Sequence, residues 1–427
     1  MPGDQIQKEH MSKKVKAYSL TGRITDLVIR QAFKSVKRNR GAAGVDKVSI
    51  GMFEANLDEN LAALMQALKK GQFQPKPLRR VHIPKGPGSR ETRPLGIPVV
   101  RDRVAQEVLR LLLAPIFEPQ FHRCSFGFIR GRNCHMAIEE VLRLHEQDNF
   151  VLDADIKGFF DNIPHRVIMD LVTEKVADGN ILTLLQRFLT AGVMLDGVFK
   201  PTVIGTPQGG VISPLLSNIV LNQLDWALDG AGYRFARYAD DFVIICPTGQ
   251  QAQEALKLVK HVIETDLGLQ LSPEKTHVTT YGKGYEFLGF HLSSRSRRMR
   301  DKSEQKFKEK VKMLTRRHHN LDIKAIEKLN RVIRGTANYF ATEFSTERWH
   351  FQKLDSWIRM RLRAMKTKRK SVNDNRRLKC GYFVRKLGLL TMESFCTSRD
   401  RHGKVCRVIP RNGATPLGPP GERSSRR

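Results

Sequence analysis

What the sequence lacks narrows the field first. Its six cysteines, Cys124, Cys134, Cys246, Cys380, Cys396 and Cys406, are scattered over 427 residues and form no C-x-x-C pair. That excludes a disulfide framework and fits a reducing compartment. No apolar run reaches the roughly 18 residues a membrane-spanning helix needs. The opening MPGDQIQKEHMSKK has no apolar centre of the kind a secretory leader carries. Acidic charge is also scarce, with 43 Asp and Glu against 74 Lys and Arg, a formal net of +31 at pH 7. Membrane, secreted and collagen-like classes are therefore set aside. Apolar residues make up 40% of the chain, enough for real cores, and the length suits roughly two to three domains. The expectation is a soluble, strongly basic cytoplasmic protein whose partner is a polyanion.

The charge is unevenly placed. Residues 291–427 hold 37 Lys and Arg against 12 Asp and Glu, a net of +25, whereas residues 1–290 hold 37 against 31. An ordinary solvated face does not need such an excess, because self-repulsion opposes compaction. Dense phosphate with counterion release is the natural ligand, and binding should weaken steeply with salt. The near-neutral first two thirds read as an enzyme-like body and the basic last third as a binding appendage.

Along the chain, residues 1–17 read as a polar arm, and Ile24, Leu27, Val28, Ala32 and Val36 follow helical spacing. Phe53, Leu57, Leu61, Leu64 and Leu68 give a second helix. Residues 73–100 read as strands and a loop, and a helix through Val104, Val108, Leu111 and Leu112 is expected to stop near Pro115. Ser213 and Pro214 read as the N-cap and first turn of a helix running to about Leu228. NFVLDADI (149–156) reads as a buried strand, RFARYADDFVIIC (234–246) as two strands about a tight turn, and 276–290 as two more. From about 302 the pattern is helical, and the tail after 408 reads as disordered. Irregular alternation with hairpins predicts an α+β sheet with helices on one face rather than a doubly wound sheet.

Acidic residues inside apolar strands carry the chemistry. Asp153 and Asp155 end VLDADI, and Asp240 and Asp241 sit between FARYA and FVIIC. A charge in such a setting is costly unless it is paired or binds metal. If the second pair lies at a hairpin tip beside the end of the first strand, three carboxylates converge. Hard oxygen ligands of this kind suit Mg²⁺. Two such ions roughly 3.5–4 Å apart serve an in-line phosphoryl displacement. The rival reading of YADD alone is a surface β-turn, where Asp is common. The apolar flanks, the earlier acidic strand and the basic appendage together favour a polymerase.

At this point the chain resembles the reverse transcriptases encoded by bacterial group II introns, also called maturases. The likeness covers about residues 20–370 and rests on blocks in order: NRGAAGVD (39–46), RRVHIPK (79–85), RPLGIP (93–98), SFGFIRGRNCHMAI (125–138) and DADIKGFFDNIPH (153–165). It continues through GTPQGGVISPLLSNIVLN (205–222), RYADD (237–241), LSPEKTHV (271–278), FLGF (287–290) and the maturase-like LNRVIRGTANYF (329–340). The resemblance implies a right-hand polymerase followed by an α-helical thumb and maturase domain. The expected organisation is a polar arm at 1–20, fingers at 21–140, a palm with an antiparallel sheet at 141–292, the helical domain at 300–370 and a basic, partly disordered tail at 371–427 with DNA as a candidate ligand. It makes Asp155, Asp240 and Asp241 the ligands of two Mg²⁺ ions, with the Ile156 carbonyl as a further oxygen and Asp153 as a neighbour.

In the same frame Lys85 and Arg93 meet the incoming deoxynucleoside triphosphate. Phe160 blocks a ribose 2′-hydroxyl, Gln208 bonds the nucleotide or template, and Lys275 protonates the pyrophosphate leaving group. Plain readings stand beside these: a solvated hairpin for the cations, a core Phe, a helix-entry turn and a surface Lys. Arg79, Arg80, Arg130 and Arg132 would touch template phosphates. FLGF would support the primer end, or is simply a buried strand. Arg331, Arg334, Arg359, Arg361 and Arg363, interleaved with Tyr339, Trp349 and Trp357, would bind structured RNA, although such rings also pack small helical cores.

The likeness departs from the fuller family pattern at the end. Cys396, His402 and Cys406 match no zinc spacing and H-N-H endonuclease partners are missing, so no such domain is expected and mobility would use a nick or fork supplied by host replication. The leading expectation is an RNA-directed DNA polymerase that also binds its parent intron RNA and promotes splicing and mobility, acting on an RNA template with a DNA primer or target in a nucleoid- or ribonucleoprotein-associated setting. Two other readings use the same residues: a maturase-only RNA-binding scaffold with an idle polymerase, and a domesticated or CRISPR-linked reverse transcriptase in antiviral defence. The maturase-like segment favours the intron reading.

Overall fold

The computed structural model describes residues 16–84, 92–145, 149–195, 197–206, 209–399 and 405–407, apart from the side chains of Asn375, 397–399 and 405–407. The N-terminal arm up to residue 15, Lys85, Gln208, His402, the Cys406 side chain and the tail after 407 lie outside the described residues. Two compact units divide the chain between Thr280 and Tyr281.

In the first unit the helices and strands run α1 (Asp26–Arg38), α2 (Ile50–Ala55), α3 (Leu57–Lys69), β1 (Leu78–Pro84), β2 (Thr92–Ile97), α4 (Val100–Phe117) and α5 (Cys134–Leu144). They continue through β3 (Phe150–Asp155), α6 (Phe159–Asn162), α7 (His165–Thr173), α8 (Gly179–Leu189), β4 (Val193–Leu195), β5 (Val198–Lys200), α9 (Ser213–Gly230), β6 (Arg234–Tyr238), β7 (Asp241–Cys246), α10 (Gly249–Lys260) and β8 (His277–Thr280). Helix starts follow capping chemistry. The Thr25 hydroxyl accepts from the Val28 N–H, Asn133 from Met136 and Thr248 from Gln251. In α1, Ile29, Ala32, Phe33 and Val36 form a stripe one helical face wide, and they are buried.

Two helices, α4 and α9, are buried on more than one face and hold the unit together. Val104, Ala105, Val108, Leu109 and Leu113 of α4 and Leu216, Val220, Leu221, Leu224 and Leu228 of α9 are fully enclosed. Both differ from the sequence reading at an end. The α4 helix continues past Pro115 to Phe117, because proline in the final turn removes only one late donor. At α9 the helix opens with Ser213 inside it and Ile212 as its cap, and the Ser213 hydroxyl instead accepts from the Thr206 hydroxyl at 2.6 Å.

The central sheet has strand order β6-β7-β3-β8 and is antiparallel throughout. Its apolar positions Val151, Leu152, Phe242, Val243, Ile244 and Ile245 are buried. A second sheet, β2-β1-β4-β5, joins the β1–β2 hairpin in parallel to β4.

The second unit begins with a small antiparallel sheet of β9 (Tyr285–Phe287), β10 (Phe290–Leu292) and β11 (Arg297–Met299). It continues with α11 (Asp301–Leu314), α12 (Ile323–Phe340) and α13 (Arg348–Thr367). The helices bury Phe307 and Val311, then Ile326, Leu329, Ile333 and Ala337, then Phe351, Leu354, Ile358 and Leu362. Phe287 and Phe290 of FLGF are buried, and Phe290 lies 4.8 Å from Phe340 and 5.7 Å from Tyr339, centroid to centroid. Both α+β character and the helical C-terminal region therefore match the expectation from sequence.

Candidate active site

The acidic corner forms where two strands of the central sheet end. Strands β3 and β7 pair with Phe150 opposite Cys246 and Asp155 opposite Asp241. Strands β6 and β7 are joined by a two-residue turn, because Tyr238 already pairs with Asp241. That turn is Ala239–Asp240, so the third carboxylate stands one residue from Asp241, which faces Asp155. Directly opposed antiparallel positions have Cβ atoms about 4.5–5.5 Å apart, and like charges there are destabilising. Burial raises the Asp240 pKa above the usual carboxylate range and the charge of Asp155 pushes the same way, against the pull of Arg93 and Lys275. Asp153, two residues back on the same face of β3, sits opposite His277 of β8, with 4.0 Å between its carboxylate and the imidazole.

The loop before β8 is tied to the main chain of Asp155. The Ser272 N–H donates to the Asp155 carbonyl at 2.8 Å, and the Asp155 N–H to the Thr276 hydroxyl at 3.4 Å. Lys275 lies between them in sequence, and its ammonium donates to Asp155 Oδ2 at 2.9 Å. Buried Ile156 bridges to Leu271, but the bonds of that bridge are made by its neighbours, Lys157 N–H to the Gln270 carbonyl and Ser272 N–H to Asp155. The bridge therefore does not use the Ile156 carbonyl. Among the described residues no group of three or more His, Cys, Asp or Glu side chains is placed to hold a metal ion. In donor chemistry alone, carboxylates and a main-chain carbonyl are the hard oxygens that suit a divalent cation, which takes its remaining oxygens from water and phosphate.

Around this corner, Arg93 is exposed on β2 and acts electrostatically on both Asp240 and Asp161. Arg80 of β1 also acts on Asp161, whose pKa burial raises. Phe160 is half-buried in α6, edge-on to Phe159 at 5.3 Å, and its carbonyl accepts from the Thr206 N–H at 2.7 Å. Thr206 is thus anchored beside Phe160 on one side of residues 207–208, which lie outside the described residues. On the other, the Val211 N–H donates to Gln106 Oε1 at 2.7 Å. Gly209 has φ +108, and a Cβ there would stand 2.5 Å from the Gly96 carbonyl, so only glycine lets this loop meet the β1–β2 hairpin.

The other arginines divide into two groups. Arg130, Arg331 and Arg334 are exposed. The rest are engaged within the protein. Arg79 donates twice to the Ala43 carbonyl, at 2.8 and 3.1 Å, and Arg132 donates to the carbonyls of His122 and Ser125. Arg359 donates to the Ser356 hydroxyl. Arg361 bonds the Thr315 hydroxyl at 2.7 Å and lies over Trp357, and Arg363 bonds the Leu378 carbonyl at 2.9 Å. Tyr339 donates to the Leu288 carbonyl and packs in the core, whereas Trp349 is exposed with Lys353 over its ring. In the second unit a cavity of about 750 Å³ is lined by Arg316, Arg317, His318, Arg369 and Lys370 over Met360 and Val372.

Sequence reasoning passed over Arg237, Asp225 and Asn218. All three are buried, and Arg237 is bonded to both of the others. The signal was present: Arg237 is a charge inside an apolar strand, as costly as the aspartates that drew notice, and Asn218 and Asp225 are seven apart on one face of a helix.

The antiparallel sheet carries Asp155, Asp240 and Asp241 at neighbouring strand ends, and Arg93 of the β1–β2 hairpin acts electrostatically on Asp240. Residues 83–292 match the family model "Reverse transcriptase (RNA-dependent DNA polymerase)", and residues 304–382 match "Group II intron, maturase-specific domain". The chain is 35% identical to protein YkfC of Escherichia coli K12 over 305 residues, 62% of this chain and 80% of that protein. It is also 35% identical to the group II intron-encoded protein LtrA of Lactococcus lactis subsp. cremoris over 233 residues, 54% of this chain and 38% of LtrA. A solved structure, a partial Cas6-RT-Cas1–Cas2 complex, aligns with 58% of this chain and 42% of its own at 23% identity and a TM-score of 0.37. The chain belongs to the group II intron-encoded reverse transcriptase family and joins an RNA-directed DNA polymerase to a maturase domain. Among the described residues no helix is long and apolar enough to cross a membrane.

Proposed function

We propose that Asp155, Asp240 and Asp241 are the nucleotidyl-transfer site of this polymerase and that they hold two Mg²⁺ ions, with the Ile156 carbonyl as a further oxygen. The observation that carries this reading is the pairing of Asp155 with Asp241 across β3 and β7, one residue from Asp240. When bound, such ions activate a primer 3′-hydroxyl and stabilise the leaving oxygen of an in-line displacement. The chain's own groups do the rest. Arg93, with Lys85, takes the negative charge of the incoming triphosphate. Phe160 fills the space a ribose 2′-hydroxyl would need, and Gln208 bonds the nucleotide or template. Lys275, aligned through the Ser272–Thr276 loop, gives a proton to the departing pyrophosphate.

Arg80 and Arg130, with Arg79 and Arg132 bracing the loops beneath them, guide the template phosphates. In the second unit, exposed Arg331 and Arg334 and the basic cavity beside α13 bind the parent intron RNA, with Arg359, Arg361 and Arg363 shaping that surface. RNA binding there promotes folding and splicing of the intron, while the splicing chemistry belongs to the RNA. The polymerase then copies the intron at a DNA target, from a nick or fork supplied by the host, in a cytoplasmic ribonucleoprotein at the nucleoid.

Extension of a DNA primer on an RNA template tests the reading. The wild-type protein should extend in Mg²⁺, and Asp240→Ala combined with Asp241→Ala should reduce extension by at least about a thousandfold, on the order of 4 kcal/mol of barrier. Extension retained by the double variant would remove the site assignment.

A further inference from the structure

The turn that carries Asp240 is held from beneath by buried charge. Arg237 and Asp225 are both fully enclosed, and the guanidinium grips the carboxylate with two nitrogens, Nε to Oδ1 at 2.7 Å and Nη2 to Oδ2. The remaining nitrogen, Nη1, donates to the Ala239 carbonyl at 2.9 Å and to Asn218 Oδ1 at 3.1 Å. The Asn218 amide in turn donates to the Gly127 carbonyl at 2.8 Å. Main-chain bonds complete the frame: the Arg237 N–H donates to the Cys124 carbonyl at 2.9 Å, and the Phe126 N–H to the Arg237 carbonyl at 2.8 Å. Gly127 packs so close that a Cβ would lie 2.3 Å from the Ala239 nitrogen.

Stability does not account for this arrangement. A buried ion pair is commonly matched or bettered by apolar residues of the same volume. What an apolar pair cannot supply is a donor aimed at the Ala239 carbonyl. Ala239 also has φ +59, a left-handed conformation that a residue with a Cβ keeps only where its surroundings impose it. The bracket is therefore applied to the one residue whose backbone sets the direction of Asp240.

We propose that Asp225, Arg237 and Asn218 are positioning residues that fix the Ala239–Asp240 turn so that Asp240 meets the divalent cations in register with Asp155 and Asp241. None of the three touches substrate. Asp225 orients the guanidinium, Arg237 holds the turn, and Asn218 ties both to the loop at Gly127. The inference rests on the polymerase reading of the acidic corner.

The test replaces the ion pair without leaving a lone charge, as Asp225→Leu with Arg237→Met in the full chain. Three quantities are measured: the thermal midpoint, Mn²⁺ affinity by electron paramagnetic resonance without substrate, and steady-state extension in Mg²⁺. The expected variant is folded and holds primer–template as the wild type does, with Mn²⁺ affinity and kcat each lowered about 10- to 100-fold, the usual effect of removing a group that orients a metal ligand. Gly127→Ala leaves the ion pair intact and presses on the same turn from the other side, so it should give the same pattern. It decides the matter should the double variant unfold. A folded variant with wild-type Mn²⁺ affinity and wild-type kcat overturns the proposal and leaves the ion pair a packing feature. A wild-type protein that neither binds Mn²⁺ nor extends a primer sinks the polymerase reading instead, which separates the two failures.

Discussion

Asp155 and Asp241 stand opposite one another on neighbouring strands, and a fold chosen for stability alone would not put them there. Lys275 relieves part of that repulsion at 2.9 Å, and Arg93 relieves part of it at Asp240. Phe160 is the residue whose proposed role has the most specific readout. Its half-buried ring rests against Phe159 at the edge of the core, so truncation removes a partly exposed side chain. Phe160→Ala should raise the ratio of ribonucleotide to deoxynucleotide kcat/KM by about 10- to 200-fold, the range open to one steric contact. An unchanged ratio would make Phe160 an ordinary packing residue. At this scale the aspartates were legible from sequence because charge in an apolar strand has to be explained. Arg237 carried the same signal but was absorbed into the RYADD string, and its partners lie 12 and 19 residues away on α9, where only the folded chain brings them together.

Among elements, the β6–β7 hairpin and the β3 strand were readable because their apolar runs are short and end in turn residues. The start of α9 was not, since Ser213 and Pro214 have the composition of a cap while the serine hydroxyl is engaged by Thr206, a tertiary contact that no local rule contains. The cationic helices were legible as helices but not in what their arginines do. Arg361 and Arg363 look like surface charge in sequence, yet both bond internal oxygens. Helix α13 also holds a buried acid. Asp355 accepts from the Met392 and Glu393 N–H groups at 2.8 and 3.1 Å, but its burial outweighs them and pushes its pKa up to about 7. Glu347, just before the helix, is likewise pushed up by burial to about 7. Between about pH 4 and 7 the folded chain then binds more protons than the unfolded one, so stability falls as pH rises through that window. Asp355→Asn in a Trp226→Phe background should make the urea midpoint of the second unit, followed by the fluorescence of Trp349 and Trp357, less dependent on pH between about 4 and 7, with the Glu347 contribution remaining. A slope as steep as that of Trp226→Phe alone would show that Asp355 titrates normally.

For the molecule as a whole, charge sets the partner and the partner sets the salt dependence. The net of +31 was plain from composition, and most of it falls within residues 291–427. Which cations are available is a property of the fold: Arg331 and Arg334 are exposed one helical turn apart on α12. Arg331→Ala with Arg334→Ala should weaken intron RNA binding and lower the slope of log K against log salt by about one unit for each phosphate no longer neutralised. An unchanged slope would place the RNA elsewhere on the protein. Extension of a short primer on an unrelated RNA template should fall much less, since that reaction depends on the acidic corner of the first unit. That corner is tested most directly by one measurement, single-turnover extension of a DNA primer on an RNA template by Asp155→Ala at saturating deoxynucleotide and Mg²⁺. The expected result is a rate lowered about a thousandfold or more, on the order of 4 kcal/mol of barrier, with primer–template affinity within about twofold of wild type. A rate within tenfold of wild type would contradict the assignment of Asp155, Asp240 and Asp241 as the site of DNA synthesis.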